Sequence, residues 1–266
     1  MNPDISTVCR LLEQDALRNL VTLKMLNCHP NSMRFELHQG ADGWALLSLL
    51  EVRDSGWDRK TYPACKYVAF INGNSASRKV QLLACLPNEN LVLKTGDRVV
   101  QKGVAQTGKG TEVMTFHSFT TGKQSSHAES DARLHQSGFY DESAWGMFRA
   151  NGYEDEELAR YFQSGAQWFG IESEGQLASA CFVFQNYKQI WEVAGVYTQL
   201  DFRRRGLGKM TVLGALKYLA ASGLVPRYQA RGDNHASICL ARSCGLTEFL
   251  QMAHYLLLMR DESGAT

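Results

Sequence analysis

Between Ile190 and Ser222 the chain passes from an apolar, β-prone run, IWEVAGVYT, through QLDF into RRRGLGK, and then into KMTVLGALKYLAAS. In that last segment Val212, Leu213, Leu216, Leu219 and Ala220 recur at helical spacing. A strand feeding a helix through a loop of three arginines and two glycines commits this part of the chain to an α/β arrangement. It also sets a chemical question. A helix N-terminus presents unpaired N–H groups and positive partial charge, glycines let its backbone approach a ligand closely, and arginines add charge-assisted hydrogen bonds. RRRGLGK is therefore built to hold an anion. Two familiar phosphate loops do not fit: a Walker A loop needs Gly where Arg203 stands and Ser or Thr where Met210 stands, and a dinucleotide fingerprint needs a third glycine where Thr211 stands.

The rest of the pattern places this segment among alternating strands and helices. Val8, Leu12, Ala16 and Leu20 mark an N-terminal helical face. MRFELHQ and WALLSLLEV flank Gly40 and Gly43 as a hairpin, and CKYVAFING reads as a buried strand. SASRKVQLLACL reads as a helix capped by Ser75 or Ser77, and NLVLKTGDRVVQKG and TEVMTFHSFT as further strands. The polar, aperiodic stretch at 121–131 is the expected linker. Beyond it, two short helices precede a hairpin turning at Gly175, then the strand with Glu192, the helix after RRRGLGK, the short strand VPRYQA, the helix DNHASICLARSCG closed by Gly245, and a final strand.

At 266 residues and 44% hydrophobic composition the chain is long enough for two domains with real cores. A net charge of +1 and the lack of aromatics interleaved with the arginines exclude a general nucleic-acid binder. The arginines stand in the acidic half, since residues 129–266 carry 13 Lys/Arg against 16 Asp/Glu, which points to a local task. Seven cysteines without a CxxC spacing read as reduced core thiols, and no metal ligand set is expected. The N-terminus has neither a basic stretch nor a long apolar core, and no window is apolar over a membrane's thickness. A cytoplasmic location with no membrane partner is expected.

Arg203-Arg204-Arg205-Gly206-Leu207-Gly208, entering a long helix after a strand, followed about 26 residues later by NHASICLARSCGL, resembles the GNAT superfamily of acyl-CoA-dependent N-acyltransferases. The resemblance covers roughly 130–258 and is nearest in style to the two-lobed, glycine N-acyltransferase-like branch. It implies tandem GNAT-like lobes of α/β (α+β) class, each with a mixed, mostly antiparallel sheet flanked by helices. A degenerate N-terminal lobe would occupy 1–120, with a linker at 121–131 and a catalytic domain at 132–266. The first lobe contains no comparable Arg/Gly loop and is expected not to bind the cofactor.

The resemblance further implies acetyl-CoA or another acyl-CoA as cosubstrate, with a small-molecule amine or amino acid attacking the thioester directly in a ternary complex. Arg203, Arg204, Arg205, Gly206, Leu207, Gly208 and Lys209 would hold the diphosphate. Val196, Tyr197 and Thr198 would line the thioester in a gap between splayed strands, and Asn234 and Ser237 would touch the pantetheine arm or the adenosine portion. Glu192 interrupts an apolar strand; alternation would put it on one face with Ala194 and Val196, and burial would make it a stronger proton acceptor. It also falls where several family members place a general base. Leu200 stands where Pro is common, and Ala241 where many members carry the tyrosine that protonates the leaving thiolate. Tyr255 is a substitute candidate for that acid, as are His254 and Tyr228. A regulatory module that binds acyl-CoA without catalysis is the competing reading.

Overall fold

A computed structural model describes residues 3–121 and 133–259. Most of the expected linker, 121–131, therefore lies outside the described residues. The elements in chain order are α1 (Ile5–Leu12), α2 (Leu20–Cys28), β1 (Arg34–Gly40), β2 (Gly43–Glu51), α3 (Gly56–Thr61), β3 (Tyr67–Gly73), α4 (Ala76–Leu83), β4 (Leu91–Thr95) and α5 (Arg98–Thr107). They continue with β5 (Gly110–Thr121), β6 (Leu134–Ser137), α6 (Glu142–Ala150), α7 (Asp155–Gln163), β7 (Gln167–Ser173), β8 (Gln176–Tyr187) and β9 (Ile190–Thr198). The last are α8 (Leu207–Ala221), β10 (Val225–Arg231), α9 (His235–Ser243) and β11 (Leu246–Leu257). Two compact units result. The first comprises Met1–Phe116 and Leu250–Thr266, the second His117–Phe249, so the chain changes unit within β5 and again within β11. Among the described residues, no helix is long and apolar enough to cross a membrane.

In the first unit β1, β2 and β3 pair antiparallel, β3 and β4 pair parallel, and the end of β11 pairs antiparallel to β4. Leu82, Val100 and Val104 from α4 and α5 cover one face, against Leu47, Ala69, Ile71 and Leu93. Residues 98–107 form a helix where the sequence suggested a strand. Asp97 caps it, accepting hydrogen bonds from the N–H groups of Val99 and Val100 at 2.8 and 3.2 Å. This cap and a buried stripe of Val100, Gly103 and Val104 outweigh the β preference of the Val99-Val100 pair.

The other face of β4 and β11 buries a polar cluster. The Lys94 ammonium lies 2.5 Å from Asp58 Oδ1, with both side chains almost fully enclosed. The Tyr62 hydroxyl and His254 Nδ1 share a hydrogen bond of 2.6 Å, and the rings of Trp57 and Phe116 pack on the imidazole. Burial, with Lys94 adding to it, pushes His254 down to about 3 from its ordinary 6.5. Between those values the unfolded chain binds a proton that the folded one refuses. Stability is therefore full above about pH 6.5 and declines as pH falls toward 3, by at most about 1.4 kcal/mol per unit from this residue. Urea midpoints of the wild type should drop between pH 6.5 and 5, and His254→Phe should flatten that part of the curve.

In the second unit the strand order is β5, β10, β9, β8, β7, β6. Alternation along β8 sends Cys181 and Val183 toward α8, where Val212, Ala215, Leu216 and Leu219 meet them. Phe182 and Phe184 go to the opposite face, against Trp145, Phe148 and Leu158 of α6 and α7. In β9 Val193 joins the α8 side and Ala194 the α6/α7 side. Val196, expected on the face of Ala194, packs on the α8 side instead, while Tyr197 takes the α6/α7 side. The cause is a register shift opposite Ala180–Phe182, with Gly195 at φ 62°. A bulge adds a residue to one strand and reverses the alternation after it. Only glycine fits there, because a Cβ on Gly195 would stand 2.4 Å from the Phe182 ring.

Candidate active site

β9 and β10 pair in parallel over four rungs, from Ile190 opposite Val225 to Val193 opposite Tyr228. Both strands run on past the last rung, β9 to Thr198 and β10 to Arg231, so their C-terminal ends part. The bulge at Gly195 begins just beyond the parting point. Val196 has no partner in the β8 register and Val196, Tyr197 and Thr198 are half-exposed, so this edge of β9 is open.

The N-terminus of α8 starts beside that edge. Gly206 is its N-cap at φ 80°, with open space where a Cβ would be. The first helical bond runs from the Met210 N–H to the Gly206 carbonyl at 3.1 Å. The amides of Gly206, Leu207, Gly208 and Lys209 therefore have no helical acceptor, as expected of a first turn. Gly208 lets the helix approach β9: a Cβ there would lie 3.0 Å from Thr198 Oγ1. Ser179 fixes the same strand end, its hydroxyl 2.9 Å from Thr198 Oγ1 and donating to the Tyr197 carbonyl at 3.1 Å.

The three arginines separate. Arg203 Nε donates to the Thr198 carbonyl at 3.0 Å and its guanidinium stacks on Tyr197. Arg205 turns to Glu174, 2.6 Å away, and stacks on Phe202, so it is engaged with the β7–β8 turn rather than with the loop it was expected to serve. Arg204, at φ 61°, and Lys209 are exposed and have no side-chain partner among the described residues. Leu207 is buried, anchoring the first turn on Ile171, Ala178 and Phe202.

From the other side, Asn234 caps α9 by accepting the Ser237 N–H at 3.0 Å, while the Ser237 hydroxyl lies 2.7 Å from that of Tyr228 at the last rung. Burial pushes the Tyr228 phenol up to about 12, with the Ser237 hydrogen bond opposing the shift. Ala241 is fully buried, inside the cluster beneath α8.

Glu192 corrects its expected surroundings. It is buried, as anticipated, but it is not alone. Directly across the parallel rung stands Arg227, whose Nη1 donates to Glu192 Oε2 at 2.7 Å; Asn186 Nδ2 donates to the same oxygen at 2.8 Å. Arg227 Nη2 also reaches Ser118 Oγ at 3.2 Å. The pair clasps the two strands one rung before they part. Glu192 Oε1 has no partner among the described residues. On the α6/α7 side Tyr153 is half-buried, its ring edge-on to that of Phe182; burial, and then the nearby Glu192, hold its phenol well above the ordinary range. Tyr255 does not join this group. It lies in the first unit, opposite Leu93 on β4, with its hydroxyl donating to Glu112 at 3.2 Å.

Two parallel strands that part after a few rungs, joined through a glycine-capped helix, form an open cleft with free amides at its mouth. Residues 153–252 of the chain match the family model described as GNAT acetyltransferase. Solved structures agree over nearly the whole length. A GCN5-related N-acetyltransferase from Sphaerobacter thermophilus superposes with a TM-score of 0.60 at 11% identity, over 97% of this chain and 95% of that one. An acetyltransferase of the GNAT family from Colwellia psychrerythraea gives 0.58 at 12% identity, over 97% and 98%.

The protein has a GNAT fold.

A tandem GNAT protein from the clavulanic acid biosynthesis pathway gives a TM-score of 0.51 at 12% identity, over 95% of each chain. Among curated proteins no match is found. Within this GNAT fold the first unit repeats the motif of the second: β2 and β3 antiparallel, β3 and β4 parallel, with α4 between them and α5 after. Its counterpart of the α8 loop is filled from within. The Asp42 carboxylate accepts from Ser75 Oγ, Ser77 Oγ and Arg78 Nε at 2.5, 2.7 and 2.8 Å, and these bonds hold its carboxyl below the usual range. Asn74 Oδ1 takes the Trp44 N–H at 2.8 Å.

Proposed function

We propose that the protein is an acyl-CoA-dependent N-acyltransferase, acetyl-CoA being the expected donor and a small amine or amino acid the acceptor. The observation that carries this reading is the set of free amides at Gly206–Lys209, opening onto the gap between β9 and β10. The coenzyme diphosphate would take those amides, with Arg204 and Lys209 adding charge. The pantetheine arm would run along the open edge of β9 past Val196, Tyr197 and Thr198, and Asn234 and Ser237 would bound it from α9. In the first unit Asp42 already occupies the corresponding helix start, so the coenzyme would bind the second unit only.

Amide formation needs a neutral amine, donors for the tetrahedral oxyanion, and departure of the thiolate. The bulge re-aims the backbone at Val196, and its N–H is the proposed oxyanion donor. Glu192 is the proposed proton acceptor through Oε1, while Arg227 and Asn186 fix Oε2. Tyr255 is committed to Glu112 and is not retained as the acid. A thiol of ordinary acidity, about 8.5 by analogy with free cysteine, leaves as thiolate with protonation by water.

The test is release of free coenzyme A from acetyl-CoA across a panel of amines, read beside calorimetric binding of acetyl-CoA. Binding with turnover on at least one amine is expected. Binding without turnover would favour the non-catalytic acyl-CoA module, and no binding at millimolar acetyl-CoA would reject both. Glu192→Gln should lower kcat at least about 100-fold with acetyl-CoA affinity kept. Unchanged rates from pH 6 to 9 would remove Glu192 from the proton path.

A further inference from the structure

In the first unit three side chains of metal-ligating type converge. β1 presents Glu36 and His38, two residues apart and so on one face, in register with Leu47 and Ala45 of β2. Ala45 and Leu47 belong to the core covered by α4, and Cys85, just past the end of α4, packs on that same core. The side-chain ligand atoms of Glu36, His38 and Cys85 all lie within 4.8 Å of one another; His38 and Cys85 are half-buried and Glu36 is more exposed. His38 Nε2 is 3.0 Å from Glu36 Oε1, and the Cys85 thiol, beside the same carboxylate, donates to the Gln81 carbonyl at 3.6 Å. The neighbouring thiol, with help from His38, holds Glu36 below the usual carboxylate range, whereas burial and Glu36 hold the Cys85 thiol above its own.

We propose that Glu36, His38 and Cys85 form a zinc-type divalent-cation site with one open position for water. The ligand set is one thiolate, one imidazole and one carboxylate, the set that a borderline-soft cation takes, with bonds of about 2.0–2.3 Å. Such bonds in tetrahedral geometry require ligand atoms roughly 3.2–3.8 Å apart, a contraction the long Glu36 side chain and the exposed end of β1 allow. The balance is simple. The carboxylate binds as its anion and the imidazole binds in its neutral form. The thiol loses its proton to buffer. One cation of charge +2 thus replaces one proton, and the two ligand charges of −1 leave the site neutral, which suits the half-buried positions of His38 and Cys85. The site would tie the edge strand β1 to the end of α4. It stands independently of the acyltransferase reading, and it departs from the expectation of a metal-free chain.

The experiment titrates the full-length protein, stripped with chelator, with Co2+ and follows the near-ultraviolet thiolate-to-cobalt charge-transfer band; Zn2+ is then added in competition. One Co2+ per chain is expected, displaced by Zn2+. Calorimetry in buffers of different ionisation enthalpy should show release of about one proton per cation at pH 7. Cys85→Ser should abolish the band and His38→Ala should weaken binding at least about 100-fold, the upper end for loss of an outer partner of a ligand. Cys28→Ser, at an exposed cysteine followed by His29, should change neither. A band that survives in Cys85→Ser, or its absence from the wild type at millimolar Co2+, overturns the site. Circular dichroism of each variant separates lost binding from lost fold.

Discussion

Gly206→Val is expected to raise the calorimetric Kd for acetyl-CoA at least about 100-fold, which is the loss of two or so charge-assisted hydrogen bonds at about 1.5–3 kcal/mol each. Gly206 is the N-cap of α8 at φ 80°, and the space above its Cα is open. A valine there places its methyl groups where a diphosphate would meet the first-turn amides. It also strains the backbone by roughly 1–2 kcal/mol, because a β-branched residue is poorly suited to the left-handed region. Gly223→Val is the matched control. Gly223 sits just past the other end of the same helix at φ 67°, equally free of neighbours at its Cβ. It carries the same strain and no phosphate role. Both variants should lose similar stability to urea, and only Gly206→Val should lose the coenzyme. Wild-type affinity in Gly206→Val, or equal loss in both, would remove the loop from the binding site.

The second large effect concerns the clasp between β9 and β10. Arg227→Met leaves the Glu192 carboxylate buried with Asn186 as its remaining partner, and removing one member of a buried ion pair costs about 3–5 kcal/mol. The urea midpoint should fall accordingly. The double variant Glu192→Gln/Arg227→Met removes both charges and should recover a substantial part of that loss, since replacing a whole buried pair by neutral groups of similar size is often tolerated. A double variant as unstable as the sum of its singles would mean that the two charges act separately. Because the pair sits one rung before the strands part, Arg227→Met should weaken acetyl-CoA binding less than it weakens the fold.

Much of this architecture is written in the local pattern. The hairpin turning at Gly175, the strand carrying Glu192, the helix after RRRGLGK and the helix capped by Asn234 follow from apolar spacing and capping residues, and the α8 loop was legible because its glycines and charges cluster in seven positions. What was not legible depends on non-local pairing. Glu192 was visible as a charge inside an apolar strand, and Arg227 in VPRYQA carries the same signal. Only the parallel register that sets them side by side turns two oddities into one pair. Gly195 in IWEVAGVYT does not announce a bulge, so simple alternation puts Val196 on the wrong face. Tyr255 reads as part of the last strand of the second domain, yet β11 changes unit partway along its length. Glu36 and Cys85 are 49 positions apart, and nothing in their spacing links them.

The burial of Ala241 bears on redesign. The residue is fully buried, in the same core cluster as Val212, Leu216 and Ile238. Grafting a tyrosine at 241 would force a ring into a filled space, at about 1–3 kcal/mol or more, and would point the hydroxyl into hydrocarbon. Under the acyltransferase proposal, a donor added for the leaving thiolate would have to come from the strand side of the cleft, where Tyr197 and Thr198 already lie half-open, and not from the helix that carries Ala241.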